Sequence, residues 1–392
     1  MTFQAMTRAA VLTIGPSPPP YNGMSVATEL VARSIDNSIE HLHLDERLHL
    51  DTADRRGLSN VGRLDIRNLW LAAMHALRYL WLLIRKRPAV VYVPISQAWL
   101  PFLRDCMFLL PAKLTGRKVI VHLHGGYFGV FFRRTSAFMR SIIRLSLNDA
   151  ACAIVLGKKI EDAFDGILPA DRIVVIPNGI PDPFERSVFS KRRDESPTIL
   201  FLSTLMASKG TLDLLRSLQF VTAKIGPARS IFAGEWYSEE ERKLAEQLVR
   251  ALPNDSKPDF VGVVGPSRKY ELLDRSTIFT LPTFYPFEGH PYVILEAMAA
   301  GLPIISTKWA CIPEMVEDGV NGFLIDPGDV EELADRICTL LSDDKLRHRM
   351  GQASRERFLE DFTFDKFSSR LQGVFSRALD GCAHAQQKAH VA

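Results

Sequence analysis

The sequence is poor in the features that mark metal, disulfide or dinucleotide proteins. Its five cysteines (Cys106, Cys152, Cys311, Cys338, Cys382) are odd in number, widely spaced and form no CxxC pair. That pattern suggests neither a disulfide framework nor a zinc site, and points to a reducing cytoplasm. No GxGxxG and no GxxxxGK[ST] occurs, so a dinucleotide oxidoreductase or a P-loop ATPase is poorly supported. Long hydrophobic runs are also missing. The most apolar stretch, Leu69 to Ile84, is interrupted by His75 and Arg78 and is too short to span a bilayer comfortably. It reads as an amphipathic, core-facing helix in preference to a membrane-contacting one. Met1 to Ala10 holds only short apolar pieces, and the apolar strand that follows is ended by Gly15 and Pro16; no signal peptide is expected.

What is present describes a globular chain. With 392 residues, 47% hydrophobic and 24% charged, it can bury a large core and divides most naturally into two domains. Charge is unevenly distributed. Residues 1–190 carry 23 Lys and Arg against 16 Asp and Glu, whereas the remainder carries 25 against 29. Within the basic half, VFFRRTSAFMRSIIRLSL sets Arg133, Arg134, Arg140 and Arg144 among Phe131, Phe132, Phe138, Ile142 and Ile143. This mixture suits a segment resting on an anionic membrane surface, and equally a solvated helix face.

Short β-branched runs alternate with helical patterns: AAVLTI, AVVYVPI, KVIVHLHG, ACAIVLG and RIVVIPNG. The cycle restarts with TILFLST, SIFAGEW, PDFVGVV, STIFTLPT, LPIISTK and NGFLIDP, after a polar linker from Ser187 to Thr198. Alternation of this kind implies two successive doubly wound α/β domains with parallel sheets and a junction near residue 190. Ligands of such sheets bind beyond the carboxyl ends of the strands, in a cleft between the two domains. The loops after the strands are therefore the places to look.

After the first strand, Asn22, Gly23 and Met24 lead into a helix expected near Ser25, where Gly23 lets backbone approach a ligand. His124 ends the strand KVIVHL on the same side as His122 and precedes Gly125 and Gly126, which leave its ring accessible. Lys209 and Gly210 precede the helical pattern TLDLLRSL, so a lysine there can meet a diphosphate as a point charge. Gly265, Pro266 and Ser267 read as a turn.

The segment YPFEGHPYVILEAMAAGLPII says most. Val293 to Ala300 reads as a buried helix, with Pro291 in its first turn and Gly301 past its end. Glu296 lies inside that apolar run, where a carboxylate needs a partner; a buried Arg or Lys would serve, and so would a ligand. Glu288 lies just ahead of the helix, where unpaired N–H groups and the dipole favour anions. Together with Gly289, the pair suggests a carboxylate at each end of a polar, phosphate-bearing ligand.

The stretch EGHPYVILEAMAAGLPIISTKWACIPEMVEDGVNGFLIDPGD, with HLHGG, IPNGI and SKGTLDLL in that order, resembles the family 4 retaining glycosyltransferases, including members that build bacterial exopolysaccharide or lipopolysaccharide. The resemblance runs from about Ile14 to Phe367 and is strongest beyond Thr198. It implies a GT-B fold: a Rossmann-like acceptor domain over 1–190, a nucleotide-sugar domain over 191–363, and a C-terminal helix over 364–392 that returns to the first domain and ends in a loose tail. It further implies that Glu296 holds ribose hydroxyls, that Glu288 lies near the transferred sugar and its leaving phosphate, and that Gly289, His290, Pro291 and Tyr292 form the turn around the donor. Of these, Pro291 has no N–H to offer. Lys209 corresponds to the diphosphate lysine and His124 to the histidine facing the donor sugar, so His124, Glu288 and Lys209 form the expected catalytic set.

One departure stands out. Where the family often has a glycine–arginine pair, this chain has Ser203 and Thr204, which lowers the positive charge at the diphosphate and leaves an inactive nucleotide-sugar-binding partner as the alternative. No Asp-x-Asp triplet occurs, and no metal and no other cofactor is expected. The expected partners are a nucleotide sugar, a glycan or polyprenyl-linked acceptor and an anionic membrane surface at the inner face of the plasma membrane, with no nucleic acid.

Overall fold

The computed structural model describes residues 9–19, 21–45, 66–185 and 197–389. The chain forms two compact units: residues 1–178 together with 365–392, and residues 179–364. The division falls between Asn178 and Gly179, ahead of the expected junction at 190. Most of the expected linker lies outside the described residues.

The first unit is built on β1 (Ala10–Ile14), β2 (Glu40–Leu44), β3 (Val90–Pro94), β4 (Lys118–Leu123), β5 (Cys152–Val155) and β6 (Ile173–Val175). All neighbours are parallel, in the order β2-β1-β3-β4-β5-β6. Its helices are α1 (Gly23–Arg33), α2 (Ile66–Arg85), α3 (Trp99–Leu114), α4 (Phe128–Arg134) and α5 (Ala137–Leu147). α1 starts two residues before the expected Ser25, because Asn22 and Ser25 form a reciprocal capping box: Ser25 N–H donates to Asn22 Oδ1 and Asn22 N–H to Ser25 Oγ, both at 3.0 Å. The order of strands reverses between β1 and β3, which makes their carboxyl ends the natural ligand side.

α2 does bury Tyr79, Leu82 and Leu83, but it also exposes Leu77, Trp81 and Ile84; these recur at helical spacing and form a second, outward apolar face. The arginine-rich segment forms two helices, α4 and α5, broken at Thr135–Ser136. Arg140 donates to Thr135 O and Arg144 to Gly166 O, so these cations are tied to the unit's own backbone.

The second unit contains β7 (Thr198–Leu202), β8 (Arg229–Ala233), β9 (Asp259–Gly262), β10 (Ile278–Leu281), β11 (Ile304–Thr307) and β12 (Gly322–Ile325). Its order, β12-β11-β10-β7-β8-β9, is that of the dinucleotide-binding doubly wound sheet, with the switch between β7 and β10. Around it lie α6 (Thr211–Ile225), α7 (Glu239–Arg250), α8 (Pro266–Arg275), α9 (Tyr292–Ala299), α10 (Ile312–Met315), α11 (Val330–Ser342) and α12 (Asp344–Asp361). Gly265, Pro266 and Ser267 are thus not a free turn but the cap and first turn of α8, a position suited to proline.

α9 is the most buried helix of the unit, with Ile294, Leu295, Ala297, Met298 and Ala299 inaccessible to solvent. Arg355 of α12 fixes its far end, donating to Ala299 O at 3.0 Å while its guanidinium pairs with Asp182. A last helix, α13 (Phe364–Ala389), belongs almost wholly to the first unit; Phe367, Leu371, Val374 and Phe375 are buried along it. It continues through most of the tail expected to be loose, since Ala, Gln and Lys there favour helix.

Candidate active site

In the second unit the switch between β7 and β10 brings two loops together. After β7 the chain turns through Ala207–Lys209 and reaches Gly210, which adopts a left-handed φ of 84° before α6 begins. An added Cβ at Gly210 would lie 2.2 Å from Pro282 O, so only glycine lets the Lys209 loop lie against the end of β10. Phe284 N–H donates to Ser208 O at 2.7 Å and ties the second loop to the first.

This approach sets Lys209 Nζ 2.6 Å from Glu288 Oε2. Thr283 Oγ1 donates to the same carboxylate oxygen at 3.0 Å, and Lys209 Nζ sits 4.5 Å from the centroid of the Tyr285 ring. Burial and the Glu288 charge raise the Tyr285 phenol above its usual range, so it stays neutral as part of the wall. Glu288 itself is buried, paired with the lysine and accepting a hydrogen bond from the hydroxyl.

Glu296, one turn and a half into α9, is paired with Lys269 of α8. Its Oε1 meets the lysine, whereas Oε2 is buried with no hydrogen-bond partner among the described residues. Burial raises the carboxyl's pKa and Lys269 opposes the rise. A buried oxygen left unpaired is costly, and a hydroxyl donor brought to it would remove that cost. Tyr270, next to Lys269, is pushed up to about 12 by burial and by Glu296.

Between these two ion pairs runs the turn Gly289–Pro291. Cys311 N–H donates to Gly289 O at 3.3 Å, and Trp309 Nε1 donates to Tyr285 O at 2.8 Å, which hold the turn in place. In the first turn of α9, Ile294 N–H donates to Pro291 O at 3.1 Å, whereas the N–H groups of Tyr292 and Val293 have no acceptor within that helix and present positive potential. His290 is buried against Phe362, and burial lowers its pKa to about 3. His290 is therefore an uncharged ring packed beside the turn. The Tyr292 phenol is raised by burial and likewise stays neutral.

The other two expected site residues belong to the first unit. Gly23 is the first residue of α1, and an added Cβ would meet nothing within 4 Å, which fits open backbone at the carboxyl end of β1. His124 follows β4 with its ring centroid 3.9 Å from that of His122, as strand alternation predicts. The Tyr92 hydroxyl lies 2.6 Å from His122 Nδ1 and 3.4 Å from His124 Nε2. Burial lowers His124 to about 4 and His122 well below its ordinary value, so near neutral pH both rings are uncharged.

Sequence reasoning missed Lys269, Thr283 and Tyr285. The need for a cation was legible in the burial of Glu296, but its source on α8 was not. Among the described residues no three His, Cys, Asp or Glu side chains come together as a metal site would need, and no helix is long and apolar enough to cross a membrane.

A paired doubly wound architecture with ligand loops at the switch of the second sheet defines the GT-B class of sugar-transferring enzymes. Two sequence families match successive parts of the chain: "Glycosyl transferase 4-like domain" over residues 22–179 and "Glycosyl transferases group 1" over residues 184–357. The chain belongs to the family 4 glycosyltransferases of GT-B fold and is a glycosyltransferase. It is 27% identical to the GDP-mannose-dependent alpha-(1-6)-phosphatidylinositol monomannoside mannosyltransferase of Mycobacterium tuberculosis, over 74% of this chain and 77% of that protein. It is 26% identical to the N-acetyl-alpha-D-glucosaminyl L-malate synthase of Bacillus anthracis, over 69% and 71%. Among solved structures, Anabaena HepE in complex with UDP and glucose superposes with a TM-score of 0.72 at 20% identity, covering 94% of this chain and all of that one.

Proposed function

We propose that this protein moves a sugar from a nucleoside-diphosphate sugar, with retention of anomeric configuration and without a metal, onto a glycan or lipid-linked acceptor of a surface polysaccharide. The observation that carries this reading is the pair of buried carboxylates at and within the start of α9, each held by a lysine, one of them with a buried oxygen that has no hydrogen-bond partner among the described residues.

In this reading the ribose hydroxyls donate to Glu296, whose Oε2 is then satisfied. The diphosphate lies at the start of α9, where Lys209 leaves or shares Glu288 to meet it. As the bond between the anomeric carbon and the diphosphate oxygen breaks, negative charge grows on the leaving group, and Lys209 with the oriented N–H groups stabilises that charge most in the transition state. These groups supply what a divalent cation supplies elsewhere. Glu288, released from Lys209, faces the sugar. His124, uncharged, hydrogen-bonds a sugar hydroxyl without placing a second positive charge beside the oxocarbenium-like carbon.

The relatives name both GDP-mannose and UDP with glucose, which supports a nucleoside-diphosphate sugar as the donor class. The alternative, a protein that binds the donor without turning it over, rests on Ser203 and Thr204 in place of a glycine–arginine pair. A thermal-shift and turnover screen of nucleotide sugars, with chelator present and a membrane-lipid extract as acceptor, separates the readings. One donor that stabilises the wild type but not Glu296→Ala, with chelator-resistant transfer, supports the proposal. Binding without transfer favours the inactive partner, and binding by no donor overturns both.

A further inference from the structure

A second charged site lies in the first unit, at the amino ends of β4, β5 and β6. Lys118 begins β4, Ala151 precedes β5 and Arg172 precedes β6; with Arg117 and with Arg377 of α13 they line a cavity of about 510 Å³. β4 has six residues at about 3.3 Å each, so this cavity and His124 lie about 20 Å apart along the strand. The cavity is therefore on the opposite edge of the sheet from the carboxyl ends that serve the transfer reaction.

Five cations line it against one carboxylate, Asp149. That carboxylate is already engaged, since Asp149 Oδ1 is 3.0 Å from Lys113 Nζ, which also donates to Leu145 O and Asn148 Oδ1. Among the described residues, Arg117, Lys118, Arg172 and Arg377 have no carboxylate partner. Arg172 donates to Ala150 O at 3.4 Å and Arg377 to Gly373 O at 3.2 Å, contacts that use one nitrogen each. Arg117 Nε is buried and has no hydrogen-bond acceptor. Four like charges gathered without a counterion repel one another, and a buried guanidinium N–H without an acceptor is a cost; both are relieved by one multiply charged anion. Guanidinium groups present forked donors that match phosphate oxygens.

We infer that this cavity binds a compound with two or more adjacent phosphate groups, either free or carried on a lipid. The site is independent of the donor site in the second unit. Its bottom is β4 and its wall is α13, so an occupant would also clamp the terminal helix to the sheet.

The test uses the full chain carrying Lys209→Ala, to silence diphosphate binding at the proposed donor site, with inorganic pyrophosphate titrated by calorimetry in 0.1 M salt. A parallel arm measures sedimentation with phosphatidylcholine vesicles containing a polyprenyl diphosphate. Arg117→Ala and Arg377→Ala, on separate elements, are each expected to weaken binding by about tenfold or more, with Arg117→Lys retaining part of it. Variant-sensitive binding of pyrophosphate identifies a soluble occupant, and variant-sensitive binding of the vesicles alone identifies a lipid-borne one; both support the site. No saturable binding in either arm, or binding that neither alanine variant changes, overturns it.

Discussion

Lys209 Nζ lies 2.6 Å from Glu288 Oε2 across the switch between β7 and β10, with both side chains largely buried. Removing one partner of a buried pair leaves an uncompensated charge and typically destabilises by about 3–5 kcal/mol. Lys209→Met is therefore expected to lower the melting temperature and to reduce kcat/KM by roughly a hundredfold or more. The double variant Lys209→Met/Glu288→Gln restores most of the stability and none of the activity. Recovery of turnover in the double variant would sink the assignment of Lys209 to the leaving diphosphate.

Lys269 carries a separate prediction, because it holds the Glu296 carboxylate down against a rise caused by burial. In Lys269→Met that opposition is gone, and Glu296 protonates at higher pH than in the wild type. A donor bound through the Glu296 carboxylate is then lost from a higher pH downward. The acid limb of donor affinity should shift to higher pH in Lys269→Met, while Lys269→Arg keeps the wild-type profile. Identical profiles for all three would detach Glu296 from donor binding.

The contrast between Glu296 and Lys269 shows how far the sequence could be read. All six strands of the second unit and the carboxylates around α9 were legible, since an apolar run containing one Glu departs from a simple core pattern. Lys269 sits in PSRKYELLDR, a helix whose exposed face is charged throughout, and nothing in that spacing separates a ligand-site lysine from a solvated one. β2 escaped because EHLHL lacks β-branched residues and is an edge strand, exposed over its first two positions. The extent of α13 was hidden for a related reason: a small, polar tail resembles a loose end until its helix-forming composition is weighed.

Backbone at Gly210 supplies the next test. Gly226 has a similar φ of 87° but open space around a would-be Cβ, whereas at Gly210 that atom would lie 2.2 Å from Pro282 O. Gly226→Ala is expected to destabilise by about 1–3 kcal/mol from its backbone alone, since φ 87° with ψ −166° is a region essentially reserved for glycine, and to leave donor binding unchanged. Gly210→Ala adds a clash with backbone and should reach about 2–3 kcal/mol or more, displace Lys209 and weaken donor binding in parallel. Equal effects of the two substitutions on donor affinity would show that the close approach of the loops is not what matters.

Acid stability should register His290. Its folded pKa is about 3 against an ordinary value of 6.5, so between those values the unfolded chain holds a proton that the folded one does not. Stability contributed by the neutral ring is complete above about pH 6.5 and declines as pH falls toward 3, with a slope of up to about 1.4 kcal/mol per pH unit. His290→Gln removes that titration, so its unfolding free energy should fall less steeply between pH 6.5 and 4 than the wild type's. Parallel slopes would mean that the ring is not held neutral by burial.

Membrane contact is best tested on α2. Leu77, Trp81 and Ile84 are 63%, 54% and 64% exposed, a spacing that puts three large apolar side chains on one outward face, with Arg85, Lys86 and Arg87 at the helix end. Such a face gains by entering the headgroup boundary, and the basic end favours anionic lipid. Trp81→Glu should reduce sedimentation with phosphatidylglycerol vesicles by roughly tenfold or more, and Arg85→Glu by less, with the Arg85 effect fading in 0.5 M salt as screening removes the charge contribution. In contrast, Arg140→Glu and Arg144→Glu should matter little to vesicle binding, because those guanidinium groups are engaged with Thr135 O and Gly166 O. If the Arg140 and Arg144 variants lose vesicle binding while Trp81→Glu keeps it, the docking face is the α4–α5 surface that composition first suggested, and α2 is not the membrane contact.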